Sequence, residues 1–142
     1  MTTMAERLAK AAKAGALQTL SEPRLPSPAL PLLNKMRAYL ADPSRWQQNR
    51  LYGRSEAEAE EIYSSLEQGF AVTPGCPACL LGTSFLATGN VEIGRATEVA
   101  LFRALGFSTM SALIAWNDAP ERTHTDVIAR LDEAINKLEG RA

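Results

Sequence analysis

The sequence contains little histidine and cysteine and few aromatic side chains. Its 142 residues include one histidine and two cysteines, and only 6% are aromatic. The phosphate-binding loop Gly-x-x-x-x-Gly-Lys, the Gly-x-Gly-x-x-Gly fingerprint and the His-Glu-x-x-His pair are all absent. The aromatics are too few and too scattered for a platform that stacks single-stranded bases. We therefore expect a protein that binds rather than an enzyme.

Long apolar runs are also missing. No stretch approaches the roughly 18 residues of a membrane-spanning helix, so we expect no membrane partner. The first twenty residues carry charges throughout, unlike the apolar centre of a secretory signal. Two cysteines without an export signal indicate a reducing compartment and argue against a structural disulfide. We expect a cytoplasmic protein, and the length favours one domain with a core of its own.

Charge is distributed unevenly, although the net charge of the chain is −1. Residues 1–54 carry nine Lys or Arg and three acids, whereas residues 55–142 carry six and thirteen. The basic part could contact nucleic acid or an acidic partner, with Arg7, Lys10, Lys13 and Arg24 as candidate interaction residues. We favour packing against the acidic part, within one chain or between subunits, because the basic residues are not clustered. Self-association is expected.

Helical periodicity runs through the chain, and no alternating strand pattern is present. Residues 1–20 are expected to form an amphipathic arm, and the four prolines of residues 21–31 an extended linker. Residues 32–142 would then form the helical domain. The fold class predicted is all-α, a single-domain bundle of six or seven helices with an N-terminal helical arm. Helices are expected near 31–41 and at 56–68, 77–88, 92–105, a short stretch after Ser108, and 124–139.

Helix ends are marked by capping residues. Ser55 is expected to cap the helix at 56–68, which Gly69 ends. Ser108 is expected to cap the short helix that follows Gly106. Thr123 is expected to cap the last helix.

The segment from Trp116 to Thr123 is typical of a corner between the last two helices. Asn117 and Asp118 are good chain-reversal residues, and the following proline enforces the break. Arg122 is expected to pair with Asp118 across the turn. Trp116 is expected to seal the corner while its indole N–H finds a carbonyl. The functional alternative is a recognition pocket built from Trp116, Asp118, Arg122 and His124, and we favour the structural corner.

Cys76-Pro77-Ala78-Cys79 is the one motif with intrinsic chemistry. Pro77 suits a first helical position, which would place Cys76 at the N-cap as a reactive thiolate and Cys79 as its resolving partner. Known thiol-redox enzymes place this motif after a strand, and no such unit is present. The two thiols could also bind zinc, but a second subunit or carboxylates would have to complete the four ligands. We favour a structural interpretation without a cofactor, in which Cys79 is a small core residue and Cys76 a half-exposed thiol.

Three short motifs suggest a family. They are Cys79-x-x-Gly82, Trp116-Asn117-Asp118 and Arg122-Thr123-x-x-x-Val127. Together they resemble a small uncharacterised helical family of actinobacteria and their phages. The likeness is close in the final third and looser back to Trp46, whereas residues 1–31 and the acidic helix at 55–68 depart from it. The resemblance implies a helical domain with mobile-element ancestry and supplies no reaction or catalytic residue.

These observations predict a non-enzymatic protein-binding module. The family context suggests a phage or mobile-element accessory protein that modulates a host protein, such as a defence factor. Two alternatives stay open. One is a nucleic-acid-binding protein that uses the basic N-terminal segment, and the other is a thiol-redox or zinc-binding protein built on Cys76 and Cys79.

Overall fold

The computed structural model describes residue 3 and residues 27–70 and 75–140. Within these ranges the chain forms six α-helices. They are α1 (Ala29–Tyr39), α2 (Glu56–Glu67), α3 (Leu80–Thr88), α4 (Arg95–Leu105), α5 (Met110–Asp118) and α6 (His124–Leu138). The all-α, single-domain bundle predicted from the sequence is confirmed. Apart from Thr3, the predicted arm of residues 1–20 lies outside the described residues.

Helix α1 lies at the centre of the bundle, where it packs against α3, α4 and α6. Its buried residues repeat at helical spacing, which gives the helix one apolar face. The other helices pack in pairs, α4 on α6 and α3 on α5. The main core contains Leu33, Met36, Leu81, Leu101, Leu105, Leu113, Val127 and Leu131.

The first described helix begins earlier than its sequence pattern predicts. Helix α1 starts at Ala29, inside the segment assigned to the linker, with Pro28 at the N-cap and Pro31 in the first turn. The first turn of a helix tolerates proline, because its N–H groups have no partner within the helix. Two of the four linker prolines therefore belong to a helix start.

Capping residues identified in the sequence define several helix ends. The Ser55 hydroxyl accepts a hydrogen bond from the backbone of α2, and Gly69 follows that helix in a left-handed conformation. Thr123 and Asp126 form a reciprocal capping box at the start of α6. These three predictions are confirmed. Ser108 was the wrong cap for α5, because Thr109 has the extended backbone and accepts from the amide three residues on.

Helix α2 covers a second, smaller core on the surface of the domain. Its Ile62 and Leu66 are buried together with Tyr52, Cys76 and Ala78. The other residues of the helix are mostly polar and mostly exposed, and Tyr63 is an exposed aromatic among them. The small core fixes α2 to the segment that precedes α3.

Helices α4 and α5 are joined by residues 106–109 and bent by 46° relative to each other. No single helix in the described ranges is long and apolar enough to cross a membrane, and only this bent pair reaches such a length and composition together. Gly106 makes the bend possible, since its φ of +89° lies in the left-handed region that ends a helix.

An irregular segment, residues 45–53, lies directly against residues 77–79. Four backbone hydrogen bonds of 2.7 to 3.0 Å join them: Ala78 N to Arg45 O, Gln47 N to Ala78 O, Gly53 N to Pro77 O, and Cys79 N to Leu51 O. The contact is so close that a Cβ on Gly82 would lie 1.7 Å from the Leu51 carbonyl oxygen. Only glycine at position 82 permits this approach.

Replacing Gly82 by alanine should destabilise the protein, although alanine is the better helix former by about 1 kcal/mol. The added methyl group would push the Leu51 carbonyl and α3 apart. We expect a loss of about 3 kcal/mol in the free energy of unfolding, because a backbone atom cannot rotate away. Denaturant unfolding followed by circular dichroism measures the change.

The matched control is Gly89→Ala, whose added Cβ would meet nothing within 4 Å. Only its left-handed backbone resists the change, at a cost of about 1 to 2 kcal/mol. A Gly82→Ala protein as stable as the wild type would show that the close approach does not constrain the fold.

Candidate functional site

The side chain of Asn117 is fully buried and uses every hydrogen bond that it can make. Its oxygen accepts from the Trp46 indole N–H at 2.8 Å and from the Leu80 backbone N–H at 3.0 Å. Its nitrogen donates to the Gln47 carbonyl at 3.2 Å and to the Asp118 carboxylate at 2.9 Å. This one amide therefore joins the end of α5, the start of α3 and the segment at 46–47.

Two neighbouring side chains extend this junction. The Asp118 carboxylate accepts from the Asn49 backbone N–H at 2.9 Å, and Asn49 has a positive φ of 66°. The Gln48 side chain donates to the carbonyls of Asn117 and Ala119 at 2.9 and 2.7 Å. The end of α5 is thus tied to residues 48 and 49 from both sides, and the predicted Arg122–Asp118 pair is wrong because Asp118 faces this segment.

Two cationic side chains contact the ring of Trp116. The Arg122 guanidinium is 4.1 Å from the centre of its ring, and the Arg130 guanidinium 4.7 Å. Arg122 also donates to the Trp116 carbonyl at 2.8 Å and lies 4.0 Å from Asp126, while Arg130 donates to the Leu105 carbonyl at 2.8 Å. Both arginines satisfy carbonyls at helix ends, which is a structural function.

Cys79, not Cys76, is the N-cap of α3, and the predicted helix start at residue 77 is wrong. Residues 77–79 are extended because their backbone groups pair with residues 45–53. The Cys79 sulfur accepts from the Gly82 N–H at 3.3 Å. Burial raises the pKa of the Cys79 thiol to about 11, which opposes a reactive thiolate.

Cys76 is buried in the smaller core rather than half-exposed. The Tyr39 hydroxyl donates to its carbonyl and lies 3.4 Å from its sulfur. Burial raises the pKa of Tyr39 well above its usual value, and the contact with Cys76 adds to this shift. The two thiols belong to different cores, and within the described residues no three His, Cys, Asp or Glu side chains cluster as metal ligands.

The single histidine connects two distant helices. The Nε2 atom of His124, in the first turn of α6, lies 2.6 Å from the carbonyl oxygen of Leu40, which follows α1. Since a carbonyl only accepts, Nε2 carries the proton in this contact. Among the described residues no hydrogen bond, ion pair or ring contact joins His124 to Trp116, Asp118 or Arg122. The alternative of a recognition pocket built from these four side chains stays a prediction.

An open groove runs along α4 and ends at the start of α5. Its larger recess measures about 590 Å³, and a second recess of about 360 Å³ adjoins it. The larger recess is lined by Arg95, Glu98, Val99, Phe102, Arg103, Gly106, Phe107, Ser108, Thr109 and Met110. We call these residues the α4–α5 groove. Its size is that of protein binding pockets in general.

The groove is lined by apolar and polar side chains in similar measure, and three of the polar ones are charged. Val99 and Met110 are each 40% exposed, although both are large and apolar. Arg95 and Arg103 are exposed one turn on either side of Val99, and neither forms an ion pair with any described residue. Glu98 is half-buried between them. The groove therefore exposes apolar area to solvent, and its two arginines have no ion-pair partner among the described residues.

The sequence pattern missed the groove because it follows the buried stripe of α4. Val99 lies outside this buried stripe. A large apolar residue on the solvent side of a helix was the one indication of the groove in the sequence. The predicted interaction residues Arg7, Lys10, Lys13 and Arg24 lie outside the described residues, and their function stays a prediction.

Comparison with known proteins identifies one family. A family model described as "Family of unknown function (DUF6197)" matches residues 25–137. The predicted uncharacterised family is thereby confirmed, and the matched range includes the acidic helix that was expected to depart from it. Searches of curated proteins and of solved structures find no match.

The Asn117 junction predicts a large loss of stability on truncation. Asn117→Ala leaves the Trp46 indole and the Leu80 amide without their acceptor, and we expect a loss of about 3 kcal/mol in the free energy of unfolding. Asn136→Ala removes the same group from an exposed position on α6 and should change stability by less than about 0.5 kcal/mol. Equal effects of the two substitutions in denaturant unfolding would refute the role given to Asn117.

The buried thiol predicts slow alkylation of Cys79. In a Cys76→Ala variant Cys79 is the only thiol, and a pKa of about 11 leaves roughly one thiolate in a thousand near pH 8. Iodoacetamide should modify the denatured protein rapidly and the folded protein far more slowly, as measured by mass spectrometry. Rapid alkylation of the folded protein would contradict the burial and reopen a thiol-based function.

Proposed function

The chain belongs to DUF6197, a family of unknown function, and we propose that it is a non-enzymatic protein-binding module. The proposed binding surface is the α4–α5 groove, which would receive an apolar segment of the partner. The function is the one expected from the sequence. The surface is a different one, because the groove replaces the N-terminal arm as the main candidate.

The observation that carries this proposal is the exposure of Val99 and Met110 in a concave surface. Large apolar side chains of a small bundle are normally buried, and exposed ones gathered in a groove are typical of interaction sites. A partner that covered both side chains would remove their apolar area from water, at about 25 cal/mol for each Å² buried. The arginines on the rim would favour acidic flanks on the bound segment.

The contacts of the side chains that could take part in a reaction favour binding over catalysis. His124 contacts a backbone carbonyl, Cys79 caps a helix, and the amide of Asn117 is fully hydrogen-bonded inside the domain. A substrate that engaged one of these groups would have to break a contact that stabilises the fold. The groove itself offers shape, apolar area and charge.

The wider role follows from the family resemblance. We propose a cytoplasmic accessory protein of a phage or mobile element that modulates a host protein, such as a defence factor. The groove would be the surface that engages this host protein. Nucleic-acid binding through the basic N-terminal segment and a zinc or thiol function at Cys76 and Cys79 have no comparable support among the described residues.

A site-specific crosslink tests the proposed surface. A photo-reactive phenylalanine analogue at position 99 should crosslink a partner in cells that express the protein, and the same analogue at the exposed position 136 should not. The captured protein is then purified, and its affinity for the wild type and for Val99→Asp/Met110→Asp is measured by calorimetry. We expect the double variant to bind at least about tenfold more weakly. Unchanged affinity, or crosslinking from position 136 alone, would exclude the groove as the binding surface.

A further inference from the structure

We propose that the α4–α5 groove receives helix α2 of a second copy of this chain, so that the protein self-associates head to tail. The inference rests on the proposed function of the groove and names one partner for it. Two surfaces of the same molecule carry the argument. One is the exposed face of α4 formed by Arg95, Val99 and Arg103 beside the groove, and the other is the solvent face of α2.

The solvent face of α2 is acidic and aromatic. Tyr63 is 49% exposed, and Phe70, just beyond the end of the helix, is 60% exposed. The exposed carboxylates of Glu60 and Glu67 lie one turn before and one turn after Tyr63. Phe70 donates its backbone N–H to the Ser65 carbonyl at 2.8 Å, which holds it against the helix end. This face therefore presents two aromatic rings and two acids in a fixed order.

The exposed face of α4 carries the complementary charges in the same order as the face of α2. Val99 is exposed, with Arg95 one turn before it and Arg103 one turn after it. The two arginines are separated by about 12 Å of helix and the two glutamates of α2 by about 10 Å, at 1.5 Å per residue. An apolar residue between two cations thus matches an aromatic residue between two acids at nearly the same spacing.

None of these four charges has an ionic partner within the described part of its own chain. The ion pairs found there are Arg37–Asp132, Arg54–Glu58 and Arg122–Asp126. Contact between α2 of one copy and the groove of another would supply both arginines with carboxylates. Such complementarity selects the partner and orients it more than it adds affinity, while the apolar residues between the charges provide the buried area.

Charge disfavours three other contacts that surfaces of this chain could make. A groove facing a second groove would bring Arg95 and Arg103 against their own copies, and α2 facing α2 would do the same with glutamates. The N-terminal segment, with Arg7, Lys10 and Lys13, would be repelled by the rim. The contact that remains joins different surfaces on the two copies, and such heterologous contacts build rings or open chains.

Sedimentation of the purified full-length protein tests the proposal. The wild type should increase in mass with concentration, beyond a dimer, and the association should weaken as salt is added, because exposed charges are screened. Val99→Asp/Met110→Asp disables the groove, and Tyr63→Asp/Phe70→Asp disables α2. Each variant alone should be monomeric, and a mixture of the two should form pairs and nothing larger, since one intact groove meets one intact α2.

The controls separate folding from association. All four substituted side chains are at least 40% exposed, and thermal unfolding of each variant checks that the fold is retained. Leu51→Asp, at an exposed apolar residue outside both surfaces, should associate like the wild type. If the groove variant unfolds, Arg95→Glu/Arg103→Glu takes its place, with the same expected loss of association of at least about tenfold.

Three results would overturn the proposal. They are a wild type that stays monomeric at all concentrations, a mixture of the two variants that stays monomeric, or association that either double variant leaves intact. A monomeric wild type whose position 99 still crosslinks another protein would overturn self-association and leave the proposed function standing. Loss of both self-association and partner binding in the groove variant would support both.

Discussion

The buried amide of Asn117 holds three separate parts of the structure together. A polar group that is buried away from water must form its hydrogen bonds inside the protein. A buried donor or acceptor left without a hydrogen bond lowers the stability of the fold by about 1 to 3 kcal/mol. The four partners of Asn117 come from three separate parts of the chain, and they can be satisfied only when the end of α5, the start of α3 and residues 46–47 meet. The same arrangement brings the Leu51 carbonyl against residue 82, so this residue must be glycine. The Cys79-x-x-Gly82 and Trp116-Asn117-Asp118 motifs are therefore two halves of one junction.

This junction gives structural roles to residues whose types suggest chemistry. Cys79 provides a sulfur acceptor for a helix start, and burial raises its thiol pKa. Arg122 and Arg130 satisfy the carbonyls at two helix ends while they cover Trp116. These side chains therefore stabilise the interior of the domain. Surface that is free to act lies elsewhere, along the rim of the α4–α5 groove and on the outer face of α2.

Local patterns in the sequence were sufficient for the class of fold and for most helix ends. Ser55, Gly69 and Thr123 act within one turn of their own position, so their effects can be derived without the rest of the chain. Helix α3 shows the limit of this reasoning. Pro77 favours a helix start, yet residues 77–79 remain extended because residues 45–53 offer them backbone hydrogen bonds. A partner about thirty residues away decided the conformation, and no local pattern contains it.

The sequence by itself determined the all-α class and the helix ends at Ser55, Gly69 and Thr123, because these follow from periodicity and from hydrogen bonds between near neighbours. Only the tertiary structure decided which polar residues are buried, which glycine is indispensable and which apolar residues stay exposed. Trp46 and Asn117 are 71 residues apart, and Val99 is exposed because no described helix covers that side of α4. Burial is a property of the assembled bundle, so the candidate binding surface emerged from the packing and not from any motif.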